Sequence, residues 1–504
     1  MDQSINTDRP PYGLIAVLLI GAFITFLNNT LLNIALPSIM TDLQVETATV
    51  QWLTTGFMLV SGVMIPTTAF LIRKYSVRNL FLTAMSLFTV GTFIAGISHI
   101  FITLLLGRMV QAAGAAIMMP LLMNVMLVSF PIHKRGTAMG VFGLILMFAP
   151  AIGPTLSGWI VEHYNWRALF YFIAPIAVII LLLGFFMLKD KKEIVDIKLD
   201  SFSVLLSSIG FGGLLYGFSS AGNKGWDNPQ VFVTIGIGVI SLTYFIIRQA
   251  RLADPMLNFG VYKYPMFALS SVITMIMNMA MFSGFLLLPI YVQTIRGISP
   301  MDAGLMLLPG ALLNAAMSPI TGRLFDSFGG KILAIIGLAI TGIATYLFSQ
   351  LTFETTYMFL VIIHAIRMLG LSLVMMPVST NGLNQLPRRL YPHGTAMNNT
   401  LNQVSGAIGT ALLVTLMSIR TENVVTRMMR DAIHQVGGEP TAEVQQQILL
   451  TATLDGINFT FFVSTIIIAL AFVLAFFIKR AVPAEDPIEE KPRHTSLVTK
   501  LAGQ

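Results

Sequence analysis

Runs of about twenty apolar residues, separated by short polar or basic stretches, recur fourteen times along this chain. They fall at roughly 12–36, 48–72, 79–98, 100–125, 136–160, 168–188, 200–221, 230–248, 265–293, 300–322, 331–350, 356–379, 394–418 and 455–479. An apolar run of about 20 residues spans the ~30 Å hydrocarbon core of a bilayer as a helix. Lipid offers no partner to an open peptide group, so each run is expected to be a transmembrane α-helix. The fold class that follows is all-α and integral to the membrane. Hydrophobic residues are 55% of the 504 and charged ones 11%, which excludes a soluble globular domain.

The polar stretches between the runs set the orientation. With the N-terminus inside, 22 of the 30 Lys and Arg fall in cytoplasmic segments, among them Arg73, Lys74, Arg78, Lys134, Arg135, Arg388 and Arg389. Six fall outside, and Arg108 and Arg367 lie within helices. This split follows the positive-inside rule and places both termini in the cytoplasm. The net charge of +7 thus reports topology and no nucleic-acid surface. The first run carries no cleavage site and is too long for a signal-peptide core, so it stays as a span. With no cysteine in the chain, disulfides and thiolate metal sites are excluded.

The pattern is duplicated. Met118-Met119-Pro120 returns as Met375-Met376-Pro377, and Gly136-Thr-Ala-Met139 as Gly394-Thr-Ala-Met397, at offsets of 257 and 258. Asn124 finds Asn381, Arg108 finds Arg367, and Pro66-Thr-Thr-Ala69 finds Pro319-Ile-Thr-Gly322 at similar steps. Membrane duplications usually build a site between two bodies that rock around it, which points to transport. The organisation read from this is an N-terminal six-helix half (1–192), a two-helix insertion with linkers (193–263) and a C-terminal six-helix half (264–480). An amphipathic helical hairpin on the outer face is expected at 419–453, and a disordered cytoplasmic tail at 481–504.

No Gly-x-x-x-x-Gly-Lys-[Ser/Thr] occurs and no long soluble segment could fold as an ATPase, so an ion gradient is the expected motor. His-Glu-x-x-His and Gly-x-Ser-x-Gly are absent and the seven histidines are scattered, so an enzyme is not expected, nor a cofactor or metal. Polar residues inside spans are costly there and carry the remaining information. They are Asn28, Asn29 and Asn33 in the first run, Arg108 with Gln111 one turn on, His364 with Arg367 at the same spacing, and Asn398, Asn399 and Asn402. The arginines either brace helices or hold a coupling site whose partner titrates. None of the 23 acidic residues lies mid-span. His364, which can titrate near neutral pH, is therefore the first proton-coupling candidate, with Arg367 and Arg108 beside it. Asp302 and Asp42, at outer helix ends, are weaker ones.

The motifs then resemble a known family. Leu27-Asn-Asn-Thr-Leu-Leu-Asn-Ile-Ala-Leu-Pro37, Trp52 opening the second helix, and Arg108-x-x-Gln111-x-x-Gly114 are similar to the 14-helix drug:proton antiporter branch (EmrB/QacA type) of the major facilitator superfamily, particularly its lincomycin-resistance (LmrB-like) exporters. Ala149-Pro150-Ala-Ile-Gly153-Pro154-Thr-Leu-Ser-Gly158 resembles the branch's helix-5 antiporter signature, which implies a hinge at Pro150, Gly153, Pro154 and Gly158. Gly322-Arg323-Leu-Phe-Asp326-Ser-Phe-Gly329-Gly-Lys331 resembles its cytoplasmic gate loop. Two positions depart from the pattern: Asn28 stands where the branch has an aspartate, and Arg73 where the first-half gate has one.

The resemblance implies a major facilitator fold of fourteen helices arranged as 6+2+6. It also implies a proton-coupled multidrug efflux antiporter in a bacterial inner (cytoplasmic) membrane, a monomer whose partners are small-molecule drugs, protons and the lipid bilayer. The substrate cavity is expected between the halves, lined by Asn28, Asn33, Trp52, Gln111, Asn398 and Asn402. With no midplane carboxylate, it should suit neutral or weakly cationic amphiphiles. Export of an endogenous metabolite or lipid, or an uncoupled membrane sensor or scaffold, are the alternatives.

Overall fold

The computed structural model describes residues 11–45, 47–50, 52–189, 199–252, 254–436 and 440–481. Most of the expected tail, from 482 onward, lies outside the described residues. Helices are α1 (Tyr12–Leu43), α2 (Thr47–Val50), α3 (Trp52–Lys74), α4 (Val77–Gly96), α5 (Phe101–Ser129), α6 (Arg135–His163) and α7 (Arg167–Met187). They continue with α8 (Ser201–Lys224), α9 (Pro229–Arg251), α10 (Pro265–Ile290), α11 (Pro300–Phe328), α12 (Gly330–Phe348), α13 (Tyr357–Asn384), α14 (Tyr391–Val436) and α15 (Ala442–Ala475). All but the one-turn α2 have at least 19 residues, so the described residues hold fourteen long helices. Twelve are apolar enough to cross a bilayer, and α3 is a thirteenth, bent by 49° between Met64 and Pro66. A proline removes the i−4 hydrogen bond and clashes with the preceding turn, which accounts for that bend.

Helix ends follow local chemistry. Ser76 Oγ accepts from the Asn79 amide at 3.2 Å to start α4, and Thr356 does the same for Phe359 at the head of α13. At the head of α11 the Ser299 hydroxyl accepts from the Asp302 amide at 3.1 Å and donates to its carboxylate at 2.8 Å. Each bond occupies a group that a helix end otherwise leaves open. Gly329, at φ 79, turns the chain between α11 and α12 in a conformation that a side chain would strain.

The duplication is visible in the packing. In the first half α5 packs on α3 and α4, α6 on α1, and α7 on α1 and α4. In the second half α13 packs on α11 and α12, α14 on α10, and α15 on α10 and α12, the same scheme one repeat later. Helices α8 and α9 pair with each other and have no counterpart. The outward face of α9, with Phe232, Val233, Ile240 and Tyr244 all more than half exposed, is suited to lipid. The segment 419–453 is no separate element: its two sides are the last turns of α14 and the first turns of α15, tied by Arg420 to Asp455 at 2.6 Å. An apolar repeat continuing past the membrane-length run lets the same helix extend beyond it.

At the foot of the insertion Arg248 bonds Asp200 at 2.6 Å, and this holds the Asp200 carboxyl well down, from its ordinary 3.8 to about 2. A carboxylate whose folded pKa is depressed contributes stability that is complete above its unfolded value and is lost as pH falls through the folded one. The difference in thermal midpoint between wild type and Asp200→Asn should therefore hold near neutral pH and close between pH 3.8 and about 2. A gap undiminished at pH 2 would trace the difference to something other than this ion pair.

Candidate functional site

The ends of α3, α6, α11, α13 and α14 meet at one end of the bundle, where Arg73, Lys74, Arg135, Arg388 and Arg389 gather, and the two halves are bonded together there. The Asp326 carboxylate, at the end of α11, accepts from the amides of Gly136 and Thr137 at 2.8 Å each and from the Thr137 hydroxyl at 2.7 Å. It caps the N-terminus of α6 in the opposite half, where open amides and the helix dipole favour a negative charge. One turn below, α6 and α11 touch through backbone. A Cβ on Gly322 would lie 2.2 Å from the Gly136 carbonyl oxygen, and one on Gly140 2.5 Å from that of Ser318. Arg135 adds a second link across the halves, donating to Asn384 Oδ1 at 3.0 Å. Arg480 donates to the Asp326 main-chain carbonyl at 2.9 Å. Of the other gate candidates, Arg323 and Lys331 are exposed and Gly329 forms the turn.

The first half has no such carboxylate, since Arg73 stands at that place. Its guanidinium instead reaches Asp254 at 3.1 Å and the Pro255 carbonyl at 3.4 Å, just beyond α9. The same linker bonds the second half through the Asn258 amide, which donates to His393 Nδ1 at 3.2 Å. The linker after the insertion thus joins α3 to α14 where the duplication lacks its aspartate. Asp254, Asn384 and His393 were not singled out in the sequence. The repeat of Pro66–Ala69 against Pro319–Gly322 marks Arg73 as the position lacking an acid, yet nothing local to it points 181 residues ahead.

Within the first half, Arg108 is wholly buried. It donates to Gln111 Oε1 at 2.9 Å and to Asn29 Oδ1 at 3.0 Å, and lies 4.5 Å from the centre of the Phe57 ring. Gln111 also accepts from Asn28 at 3.2 Å and donates to Thr92 at 2.7 Å. One network therefore joins α1, α4 and α5. In the second half Arg367 plays the matching part, donating to Thr345 at 3.1 Å, the Ala280 carbonyl at 2.7 Å and Ser283 at 3.0 Å, and so joining α10, α12 and α13. His364, one turn away, is 1% exposed, and among the described residues neither ring nitrogen has a partner. Its ring packs on α11 at Gly310, where a Cβ would come within 2.5 Å of it.

Four of the amides expected to line one cavity, Asn28, Gln111, Asn398 and Asn402, have hydrogen-bond partners within their own halves. Asn28 and Gln111 are engaged inside the first half. In the second half Asn398 donates to Ser379 at 2.6 Å, and Asn402 accepts from Asn278 at 2.8 Å. A buried amide that finds a partner within its own half is more stable than one facing an apolar void. Trp52 stacks on Tyr216 of α8 at 5.6 Å. The side chains of Asn33, Pro150 and Pro154 lie outside the described residues, though α6 runs on through positions 150 and 154. In that motif Gly153 meets α1, where a Cβ would lie 2.3 Å from Thr30 Oγ1, and Ser157 donates to the Leu31 carbonyl at 2.6 Å. Gly158 has no neighbour within 4 Å of such a Cβ. The motif thus seats α6 on α1, while the N-terminal part of α6 meets α11.

The carboxylate candidates at helix ends are solvated. Asp42, at the tip of α1, takes bonds from Arg167 at 2.7 Å and Trp166 at 3.0 Å, which hold its pKa below the ordinary carboxylate value. Asp302 is exposed and engaged in its helix cap.

Comparison with known proteins accords with this geometry. The model of the Major Facilitator Superfamily matches residues 18–410. The chain is 52% identical over 413 residues to the MFS-type transporter YhcA of Bacillus subtilis, covering 82% of this chain and 78% of that one. It is 43% identical over 465 residues to the lincomycin resistance protein LmrB of Bacillus subtilis, covering 92% and 95%. The crystal structure of the human organic anion transporter MFSD10 (TETRAN) superposes with a TM-score of 0.65 at 13% identity, over 93% of this chain and all of that one, and shares the fold. The chain is therefore a multi-pass membrane transporter and not an enzyme, and it belongs to the Major Facilitator Superfamily, among the kin of the lincomycin-resistance exporters.

Proposed function

We propose that this transporter exports amphiphilic, neutral or weakly cationic drugs in exchange for protons, as a monomer in a bacterial cytoplasmic membrane with both termini inside. The observation that carries the reading is the Asp326 bond to the head of α6. It joins two bodies related by duplication through one group of hydrogen bonds at one end, a closure that can be broken and remade as the halves rock. The basic residues gathered at that end support its facing the cytoplasm, so the form described is closed inward. Kinship with a lincomycin resistance protein supports a drug as cargo.

For coupling, His364 is the favoured group. It is buried beside Arg367, has no partner among the described residues and packs on α11, so a proton arriving there would place a second charge next to a fixed one and disturb the contact of α11 with α13. Purified protein in proteoliposomes under an imposed pH gradient should release protons on addition of lincomycin or ethidium. His364→Ala should lower that flux about 100-fold, the scale of losing a positioned proton-transfer group, while leaving drug binding in place. Full flux in the variant would exclude His364 as the coupling group. Absence of flux in wild type with either drug would favour an endogenous metabolite as cargo.

A further inference from the structure

Because the halves are duplicated, the seam between α6 and α11 should have a twin between α14 and α3. The twin is built differently. Helix α8 of the insertion lies against both α3 and α14, which also touch each other directly. Leu215 of α8 seats on Gly62 of α3, where a Cβ would come 2.1 Å from Leu215 Cδ1. Trp226, following α8, donates its indole N–H to Thr415 of α14 and packs edge-on against Phe218 at 6.1 Å. The Trp52–Tyr216 stack closes the α3 side one turn from Thr55.

Among α3, α8, α10 and α14 there remains a cavity of about 210 Å³. Met58, Leu215, Phe218, Leu286 and Val414 make its walls apolar. Thr55, Ser219 and Thr410 add three hydroxyls, and among the described residues no charged side chain lines it. Thr410 already donates to the Gly406 carbonyl, so its oxygen is left as an acceptor. An ion entering such a space would lose its hydration without a counter-charge, whereas an apolar molecule with one hydroxyl would lose little. A protein cavity of about 150 Å³ takes up benzene, so this volume suits a fused bicyclic ring.

We propose that this cavity is a binding site for uncharged, mainly apolar molecules of bicyclic size bearing a hydroxyl, and that α8 sets its selectivity. The insertion is then part of the ligand-handling machinery and more than a filler. The proposal deepens the export reading and rests on it for the physiological role of the site, though binding can be measured without any gradient.

The test uses the full chain in nanodiscs, tritiated 2-naphthol as probe, and empty nanodiscs as background. Wild type should show one saturable site. Naphthalene-2-carboxylate and 2-naphthylmethylammonium, of like shape but charged, should bind at least about tenfold more weakly, as expected for desolvating an unpaired ion. Ser219→Trp, which fills the cavity from α8, should abolish saturable binding, while Leu205→Trp on the exposed face of the same helix should leave it unchanged. Phe218→Ala, which enlarges the space, should shift preference to the three-ring 2-anthrol, and this serves as the test should the tryptophan variant misfold. Saturable binding no greater than in empty nanodiscs would mean that only bilayer lipid occupies the space, and would overturn the proposal. So would equal binding of the charged probes, or wild-type binding in Ser219→Trp with no change of preference in Phe218→Ala. Drug-driven proton flux without naphthol binding would remove this inference alone, and naphthol binding without flux would remove the export reading alone.

Discussion

Replacing Asp326 by asparagine should open the basic end of the bundle and cut transport by one to two orders of magnitude. The aspartate accepts two amide bonds and one hydroxyl bond from the head of α6, using both oxygens. Asparagine keeps the shape but turns one oxygen into an NH₂ group, which then faces a donor. A lost helix cap costs ~0.5–2 kcal/mol, and the lost charge at the helix dipole adds about 0.3–2 kcal/mol. At ~1.4 kcal/mol per factor of ten, a sum of roughly 2–3 kcal/mol lowers the closed-to-open ratio some 30- to 150-fold. The chain contains no cysteine, so Ser318→Cys can be introduced as a single reporter in the seam, where Ser318 is 5% exposed and meets Gly140 and Gly143. A membrane-impermeant maleimide should label it slowly with Asp326 present and quickly in Asp326→Asn. Equal labelling rates in the two would show that the bond does not hold the seam shut.

Loss of Arg108 should be the second severe change, and it separates bracing from mere burial. Arg108→Leu removes two bonds, to Gln111 and Asn29, and the contact with Phe57. Hydrogen bonds to a charged group are worth about 1.5–3 kcal/mol each, and a guanidinium no longer buried returns part of that. A net loss of ~2 kcal/mol corresponds to about a 30-fold fall in the ratio of ordered to disordered forms of that half. Gln111 keeps Asn28 and Thr92, but Asn29 Oδ1 loses its donor. Arg108→Lys should fare little better, because an ammonium lacks the planar fork that serves both amides at once. Chemical denaturation in detergent, read beside drug-driven flux, should show both variants weakened and slow. Wild-type stability in Arg108→Lys would mean that charge alone, and not the two-pronged geometry, is what α5 requires.

The helices were legible because the bilayer leaves the backbone no other choice: an apolar run of about 20 residues must pair its own amides. Ser76, Ser299-Pro300 and Gly329 mark boundaries for equally local reasons. The duplication was legible too, since Gly136-Thr-Ala-Met139 and its twin must serve matching positions in matching bodies. From Asp326 the gate motif could be recognised, although only the structure shows its carboxylate on the head of α6.

Asn28, Gln111, Asn398 and Asn402 illustrate what sequence could not supply. Each was visible as a costly polar group in a span, and together they suggested one shared cavity. In the structure each has a hydrogen-bond partner inside its own half, and a cavity lies on an apolar seam where α8 has entered. Arg73 illustrates the same point, its acid lying 181 residues further on. Whether a residue sits in a helix, and near which end, depends on a few neighbours and on the solvent, and the sequence by itself determined that. Which face meets which partner depends on how fourteen helices of similar apolarity pack, and periodicity says nothing of partners 80 to 250 residues away. Only the tertiary structure decided those pairings, because contact energies there depend on shape and hydrogen-bond geometry between helices and not on hydrophobicity along any one of them.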